Sequence, residues 1–431
     1  MGSNFLRTFI GHLSLSVLAP AIRFALSFTQ VMILSKYLPV EMYGAWSLFI
    51  SISMLILIFS SFNLMYASII ILTGKEPDDQ KKDISSVVIT KLTFTIVVYS
   101  GFALYIYFKQ IFSLPVIGLL GTVLLFQTLN NMVFGFSKAL LLLKRQVLFL
   151  LVESILIIAS ISISCYVLSG GLYGVMYAFL IAESLAASFG IYLMKDYIKF
   201  SKYNFKTVKK YLAIGLPLLP FAFSAMIVRS LVPFLIKLYY GFEAVAYYSV
   251  AQKVAIISTI PIIILENIYG QYIKKSKLEA QFSGVKNTLR MFISIYLAMA
   301  VPIFIILCLF GKYIIVLVST ENYLSSYELM LLLVIVNIII SITAIFAAVF
   351  AVYERTKNIG LIWVGVLVLY ILMNQVLVPR FGLMGIGYSL IISFMIGLIL
   401  VIMATFRLER SQRSEPAKLT VHTRQTAKSL N

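Results

Sequence analysis

The chain has 431 residues, of which 61% are hydrophobic and only 12% charged, and it carries a net charge of +19. Its mean hydropathy is +1.00. A water-soluble protein of this length cannot enclose so much apolar surface with so few charges to cover it. The composition therefore excludes a soluble domain and makes hydrocarbon the solvent.

A bilayer core about 30 Å thick is crossed by roughly 20 apolar helical residues. Inside it only helices or a closed barrel satisfy the backbone. The apolar runs are long and do not alternate, which selects helices. In chain order, spans are expected near 11–34, 44–72, 84–108, 115–143, 147–168 and 172–194. A second set is expected near 211–236, 245–272, 288–310, 327–350, 359–378 and 383–405. Gly11–Leu34 is too long for the core of a cleavable signal and lacks a small-residue cleavage motif, so it reads as the first span. Pro20 interrupts that span, and Pro217, Pro220 and Pro233 interrupt the seventh. Such kinks suit either a bending gate or a fixed cavity wall. Cys165 and Cys308 lie in apolar runs and are expected as free thiols.

The basic residues gather in alternate loops. "GKEPDDQKKD" (74–83), "KDYIKFSKYNFKTVKK" (195–210), "IKKSKLEAQFSGVKN" (273–287) and the tail after Phe406 fall on one side, with Lys144, Arg145, Arg355 and Lys357. The opposite loops hold Lys36, Lys109, Lys237, Lys312 and Arg380. This positive-inside pattern puts both termini in the cytoplasm and makes the charge a topological signal, with no nucleic acid as partner. The 195–210 connector carries six lysines and divides the spans six and six. It defines an N-terminal lobe (1–200), a C-terminal lobe (201–406) and a polar cytoplasmic tail (407–431) that is expected to be disordered.

The two sets of spans repeat. "KYLPVEMYGAWS" (36–47) aligns with "LYYGFEAVAYYS" (238–249), pairing Tyr37, Glu41 and Ser47 with Tyr239, Glu243 and Ser249. "GLYGVMYAFLI" (171–181) aligns with "GLMGIGYSLII" (382–392), and Lys144 matches Arg355. Collinear matches at similar spacing mark an internal repeat. Six is even, so both copies enter from the same side, as parallel repeats about an axis along the membrane normal. The expected fold is all-α and polytopic, with about 12 transmembrane helices in two parallel six-helix lobes. Two such bundles can rock about a midplane cavity, which is the architecture of a transporter.

The stretches "KYLPVEMYGAWSLF", "GFEAVAYYSVAQKV", "IGLPLLP" and "GKYIIVLVSTENYLSSYELMLLL" resemble the multidrug/oligosaccharidyl-lipid/polysaccharide (MOP) exporter superfamily, specifically its polysaccharide-biosynthesis flippases of the O-antigen (Wzx) type. The resemblance covers roughly residues 5–405. It implies a MATE-like V of two lobes in the bacterial inner membrane. It also implies flipping of an undecaprenyl-diphosphate-linked oligosaccharide, for O-antigen lipopolysaccharide or a related surface polysaccharide, from the cytoplasmic to the periplasmic leaflet. Membrane lipids, a polysaccharide polymerase and a chain-length regulator are the partners it suggests. Two departures stand out: Ala246 replaces a usual second glycine, and Arg229 lacks the aspartate often paired with it in the seventh span.

Buried charges point to the substrate. Arg23, Lys91, Lys138, Arg229 and Lys253 lie within spans, against the acids Glu153, Glu183 and Glu266. An intramembrane charge costs about 2.5–3.5 kcal/mol on insertion scales and normally faces a cavity or a partner. The cationic excess suits a diphosphate or acidic sugar. Arg23 and Arg229, on equivalent helices, could clamp a diphosphate with their planar forks. Lys138 lies near a helix end and could instead snorkel, and Lys91 is balanced between the two roles. Glu183 is mid-span and suits coupling to a proton, neutralising a cation, or a structural hydrogen bond to a serine. Glu266 and Glu153 are nearer the cytoplasm and suit snorkelling or pairing, with Glu266 a second candidate for coupling. Gln127, Asn130, Asn131 and Asn337 could contact sugar hydroxyls or hold helices together. His12 reads as interfacial, and Tyr37, Tyr239 and Tyr240 as aromatic-belt residues.

The main rival is a MATE-type cation-coupled multidrug exporter, which needs acids where this chain has cations. The short outer loops carry no metal-ligand cluster, paired carboxylates, phosphate-cradling loop or nucleophile triad, so neither an enzyme nor a cofactor is expected.

Overall fold

Long apolar runs with few breakers give long helices, and their interruptions give the fold its shape. The computed structural model describes residues 22, 24–72, 75–197, 203–216, 230–353 and 356–413, with the backbone alone at 266–284, 351–352, 356–358 and 409–413. The helices are α1 (24–37), α2 (Val40–Ser61), α3 (Leu64–Leu72), α4 (Pro77–Phe108), α5 (Leu114–Ala139), α6 (Leu143–Ser162) and α7 (Gly171–Met194). They continue with α8 (Phe205–Gly215), α9 (Val232–Ala255), α10 (Ile260–Val318), α11 (Ser326–Val352), α12 (Thr356–Phe381) and α13 (Leu383–Arg413). Among the described residues there is no strand, and ten segments are long and apolar enough to cross a membrane. Large apolar side chains such as Val97, Leu104, Phe108, Ile305, Leu309 and Leu361 face outward, as in a protein surrounded by lipid. About half of each of the expected spans 11–34 and 211–236 falls outside the described residues. Both cysteines are free thiols.

The expected second span is broken. Phe62 and Asn63 take left-handed φ values of 40° and 55°, separating α2 from α3. Asparagine tolerates that conformation well. The Asn63 N–H is taken by the Ser61 hydroxyl, and its carbonyl accepts the Tyr66 and Ala67 N–H groups. A second difference lies at 273–287, which is helical rather than a loop and continues α10. Its Lys, Leu, Glu, Ala and Gln residues are strong helix formers.

The first half packs α2, α4, α5 and α7 in succession, with α3 on α5 and α6 on α7; the second packs α9, α10 and α13 on α11 and α12 on α13. The two halves meet chiefly where α2 runs along α9. One apolar core crosses this contact, from Leu48, Phe49 and Ile52 to Val250, Ala251 and Val254. Small residues let the helices close in. A Cβ built on Gly44 would sit 1.8 Å from the Phe242 carbonyl oxygen and 3.2 Å from the Ala246 nitrogen. The halves also touch through Tyr43 edge-on to Tyr323, Phe112 stacked on Phe242, and the Lys36 ammonium donating to the Leu317 carbonyl at 2.8 Å. Burial holds the Tyr323 phenol above its ordinary pKa, so it stays neutral. We call this end, built from the two repeated connectors, the connector face. Gly241 (φ 87°) breaks α9 there.

At the opposite, lysine-rich face, α8 docks on α3 and α4. Buried Asp83 organises the contact. Its carboxylate accepts from Lys75 Nζ at 2.5 Å, from the Tyr211 hydroxyl at 3.1 Å and from the Thr207 hydroxyl at 3.5 Å. Asn204 caps α8 through the Lys206 and Thr207 N–H groups. At its other end Gly215 lies against the broken turn, where an added Cβ would come within 2.3 Å of the Phe62 carbonyl oxygen. Asp83→Ala should cost this docking roughly 2 kcal/mol, since it strands a buried phenol that now hydrogen-bonds to a charge. The corresponding outcome is about 30-fold faster amide exchange across 205–215 with little change in the global melting temperature.

Candidate functional site

Among the described residues the buried ionisable amines and carboxylates are Asp83, Lys91 and Glu183, all in the first half. Among the described residues of the second half the buried polar side chains are neutral, and include Asn374, Ser341 and Thr343.

Glu183 sits on α7 and is 4% exposed. Polar residues of α5 meet it because Gln127 and Asn130, three apart, share one helix face. Asn130 Nδ2 donates to the carboxylate at 2.5 Å and to the Glu183 backbone carbonyl at 3.1 Å, while Gln127 Nε2 donates at 3.4 Å. The amide oxygens, Gln127 Oε1 and Asn130 Oδ1, are buried and accept no hydrogen bond among the described residues. The amide donors offset part of the cost of burying the carboxylate.

Lys91 lies on α4, 3% exposed. No hydrogen bond or ion pair engages its ammonium among the described residues. One turn further on, the Thr95 hydroxyl donates to the Lys91 carbonyl and meets Ser60 Oγ of α2 and Thr128 Oγ1 of α5, each at 3.2 Å. Three helices thus converge on a hydroxyl cluster beside the lysine. Thr128 follows Gln127 directly, so α5 turns one face to the hydroxyls near Lys91 and the next to Glu183.

The remaining residues are dispersed. Lys253 is half-buried on α9 and donates to the Ser27 hydroxyl of α1, across the halves. Lys138 is exposed in the last turn of α5, where a cation complements the helix C-terminus. Asn131 donates to the Gln127 carbonyl at 2.9 Å. Asn337 donates at 3.0 Å to the Ala255 carbonyl, freed where α9 passes into the 3-10 turn Ile256–Thr259. Arg23 and Arg229 lie outside the described residues, as does the Glu266 side chain. No group of three His, Cys, Asp or Glu residues able to hold a metal occurs among the described residues. The partnerships of Ser27, Ser60, Thr95 and Thr128 join different helices and leave no signal in the sequence.

A family of polysaccharide biosynthesis proteins matches residues 33–328, which holds α2 to α10, the Glu183 cluster and Lys91. The chain belongs to that family. Its long apolar helices make it a multi-pass membrane protein. No curated protein matches it in sequence. Its fold is that of solved MATE transporters. An inward-facing multidrug resistance MATE family transporter of the MOP superfamily is similar at a TM-score of 0.71 and 16% identity, over 93% of this chain and 100% of that one. The outward-facing conformation of such a transporter gives 0.65 and 15%, over 94% and 96%. A MATE in the bent conformation gives 0.62 and 15%, over 94% and 95%.

Proposed function

We propose that this protein flips an undecaprenyl-diphosphate-linked oligosaccharide, the repeat unit of an O-antigen or related surface polysaccharide, from the cytoplasmic to the periplasmic leaflet of a bacterial inner membrane. The observation that carries the reading is Lys91, an ammonium enclosed at span depth with no acid partner among the described residues. An intramembrane cation of this kind is tolerated where it meets an anion or a watered cavity. A diphosphate supplies the anion, and sugar hydroxyls match the Ser60, Thr95 and Thr128 cluster. Lys253 and the arginines Arg23 and Arg229 extend the same chemistry, and Glu183 is the group suited to coupling. The match to a polysaccharide biosynthesis family supports the substrate class.

The positive-inside bias makes the lysine-rich face cytoplasmic and the connector face periplasmic, with both termini in the cytoplasm. Contact between the halves at the connector face then corresponds to an inward-open state. The higher similarity to an inward-facing transporter accords with it. A polysaccharide polymerase and a chain-length regulator would act on the exported unit.

The test is depletion in the native host, followed by locating the accumulated lipid-linked oligosaccharide. Accumulation on the inner leaflet is expected, and Arg23→Ala or Arg229→Ala should reproduce it without loss of membrane insertion. Wild-type export by both variants would remove the arginine clamp. The buried Glu183 favours one other reading, a cation-coupled multidrug exporter, and dye efflux on expression is the result that would select it.

A further inference from the structure

α8 and the lysine-rich half of α4 enclose a crevice of about 340 Å³ that belongs to none of the chemistry above. Its walls are chiefly apolar: Ile89 and Phe94 from α4, and Phe205, Val208 and Leu212 from α8, with Tyr203 at the mouth. Residues 205, 208 and 212 share one helical face. Ile89, Tyr203 and Phe205 are 42%, 46% and 66% exposed, so the crevice opens outward rather than into the protein. Asp83 of α4 binds α8 through Tyr211 and Thr207, beside the crevice-lining face, and so fixes how the two helices sit against each other. Lys206, Lys209 and Lys210 are exposed on the same short helix, and no carboxylate pairs with them among the described residues.

We propose that this crevice is a binding site for one anionic phospholipid, whose acyl chain lies between α4 and α8 and whose phosphate meets Lys206 and Lys209. The volume lies at the lower end of the roughly 300–1,000 Å³ of small-molecule sites. It is too small to take even one turn of a partner helix, which with side chains is about 10–12 Å across. An apolar slot capped by lysines on an amphipathic helix has the chemistry of a lipid at the interface, with the tail below and the charge above. The lysines, without acid partners, select a net negative headgroup over a zwitterionic one. The site stands apart from the transport reading and rests on the crevice and its charges alone.

The full-length protein, reconstituted in phosphatidylcholine vesicles, would receive a few per cent of either phosphatidylglycerol or phosphatidylcholine bearing a photoactivatable acyl chain. Labelled residues are then mapped by mass spectrometry. Phosphatidylglycerol should label Ile89, Phe94 and Leu212 about tenfold more than phosphatidylcholine does. The double variant Lys206→Gln, Lys209→Gln should bring the two lipids level. Ile89→Trp, a change at a half-open position that fills the mouth, should remove labelling by both. Equal labelling of the wild type by the two lipids, or a phosphatidylglycerol signal that ignores both variants, overturns the proposal. Displacement by a polyprenyl diphosphate but not by unlabelled phosphatidylglycerol assigns the crevice to a substrate tail and overturns it as well.

Discussion

Lys91→Gln is expected to lower export of the lipid-linked sugar by about 10–100-fold while leaving the protein inserted and at least as stable. The two halves of that expectation come from the same burial. A hydrogen bond from a charged donor is worth about 1.5–3 kcal/mol, and tenfold in binding corresponds to about 1.4 kcal/mol. Glutamine keeps much of the length and the polarity but removes the charge, so the phosphate loses its counter-ion. In the empty protein, however, the charge is a burden, because an enclosed ammonium with no acid partner among the described residues has lost water without an ion pair in return. Neutralising it should therefore hold or raise the melting temperature in detergent. A structural lysine behaves the other way, losing stability and export together. Lys91→Arg, which retains the charge, should recover a measurable share of export. Surface polysaccharide and inner-leaflet precursor, measured beside thermal melting, separate the outcomes; unchanged export in Lys91→Gln would exclude Lys91 as an anion ligand.

The second large effect is expected at Gly44. Any side chain there is driven into the Phe242 carbonyl, which belongs to backbone and has no rotamer to escape by. Overpacking of this kind costs about 1–3 kcal/mol. The cheapest relief is to part α2 from α9, so Gly44→Val should shift the conformational equilibrium about 10–100-fold toward a state open at the connector face. Spin labels at Gln110 and Tyr313, exposed on opposite halves, read this directly once Cys165 and Cys308 are replaced. A longer, broader distance distribution in Gly44→Val is expected. An unchanged distribution with a lowered melting temperature would make Gly44 a packing residue without gating consequence.

Much of the architecture was legible in the sequence because hydrocarbon imposes strict rules: long apolar runs, charged loops, a repeat offset of two hundred residues. What hydropathy does not register is backbone dihedral angle. The run from 44 to 72 reads as one span, yet Phe62 and Asn63 turn left-handed and divide it. Composition also missed the helical 273–287, whose charges resemble a loop and whose propensities resemble a helix. Within the site, Lys91 and Glu183 announce themselves as charges in apolar surroundings. Their neighbours do not. Thr95 and Thr128 also bond their own helix carbonyls four residues back, as hydroxyls in membrane helices commonly do, and only helix register shows that they meet. Asp83 looked like one more acid in "GKEPDDQKKD"; its partner Tyr211 is 128 residues away and comes close only because α8 folds back.

The meeting of the two connectors has a consequence for how the transporter would answer its surroundings. The three ion pairs among the described residues, Lys75–Asp83, Lys82–Asp79 and Arg145–Asp196, all lie within the first half. Between the halves the closure is made chiefly of backbone approach and aromatic edges, with the Lys36 ammonium on the Leu317 carbonyl, the Ser35 hydroxyl on the Val318 carbonyl at 3.3 Å, and Glu41 within electrostatic reach of Lys237. Dispersion contacts of this sort lose a quarter to a half of their strength over a gap of 0.5–1 Å. The closure is therefore short in range: it neither draws the halves together from afar nor holds them partly ajar, and it behaves as a latch with two positions. Salt should alter its strength only modestly, through Glu41 and Lys237. Sensitivity to acidity or membrane voltage would then enter mainly through charges in the interior, and the latch would chiefly report the result.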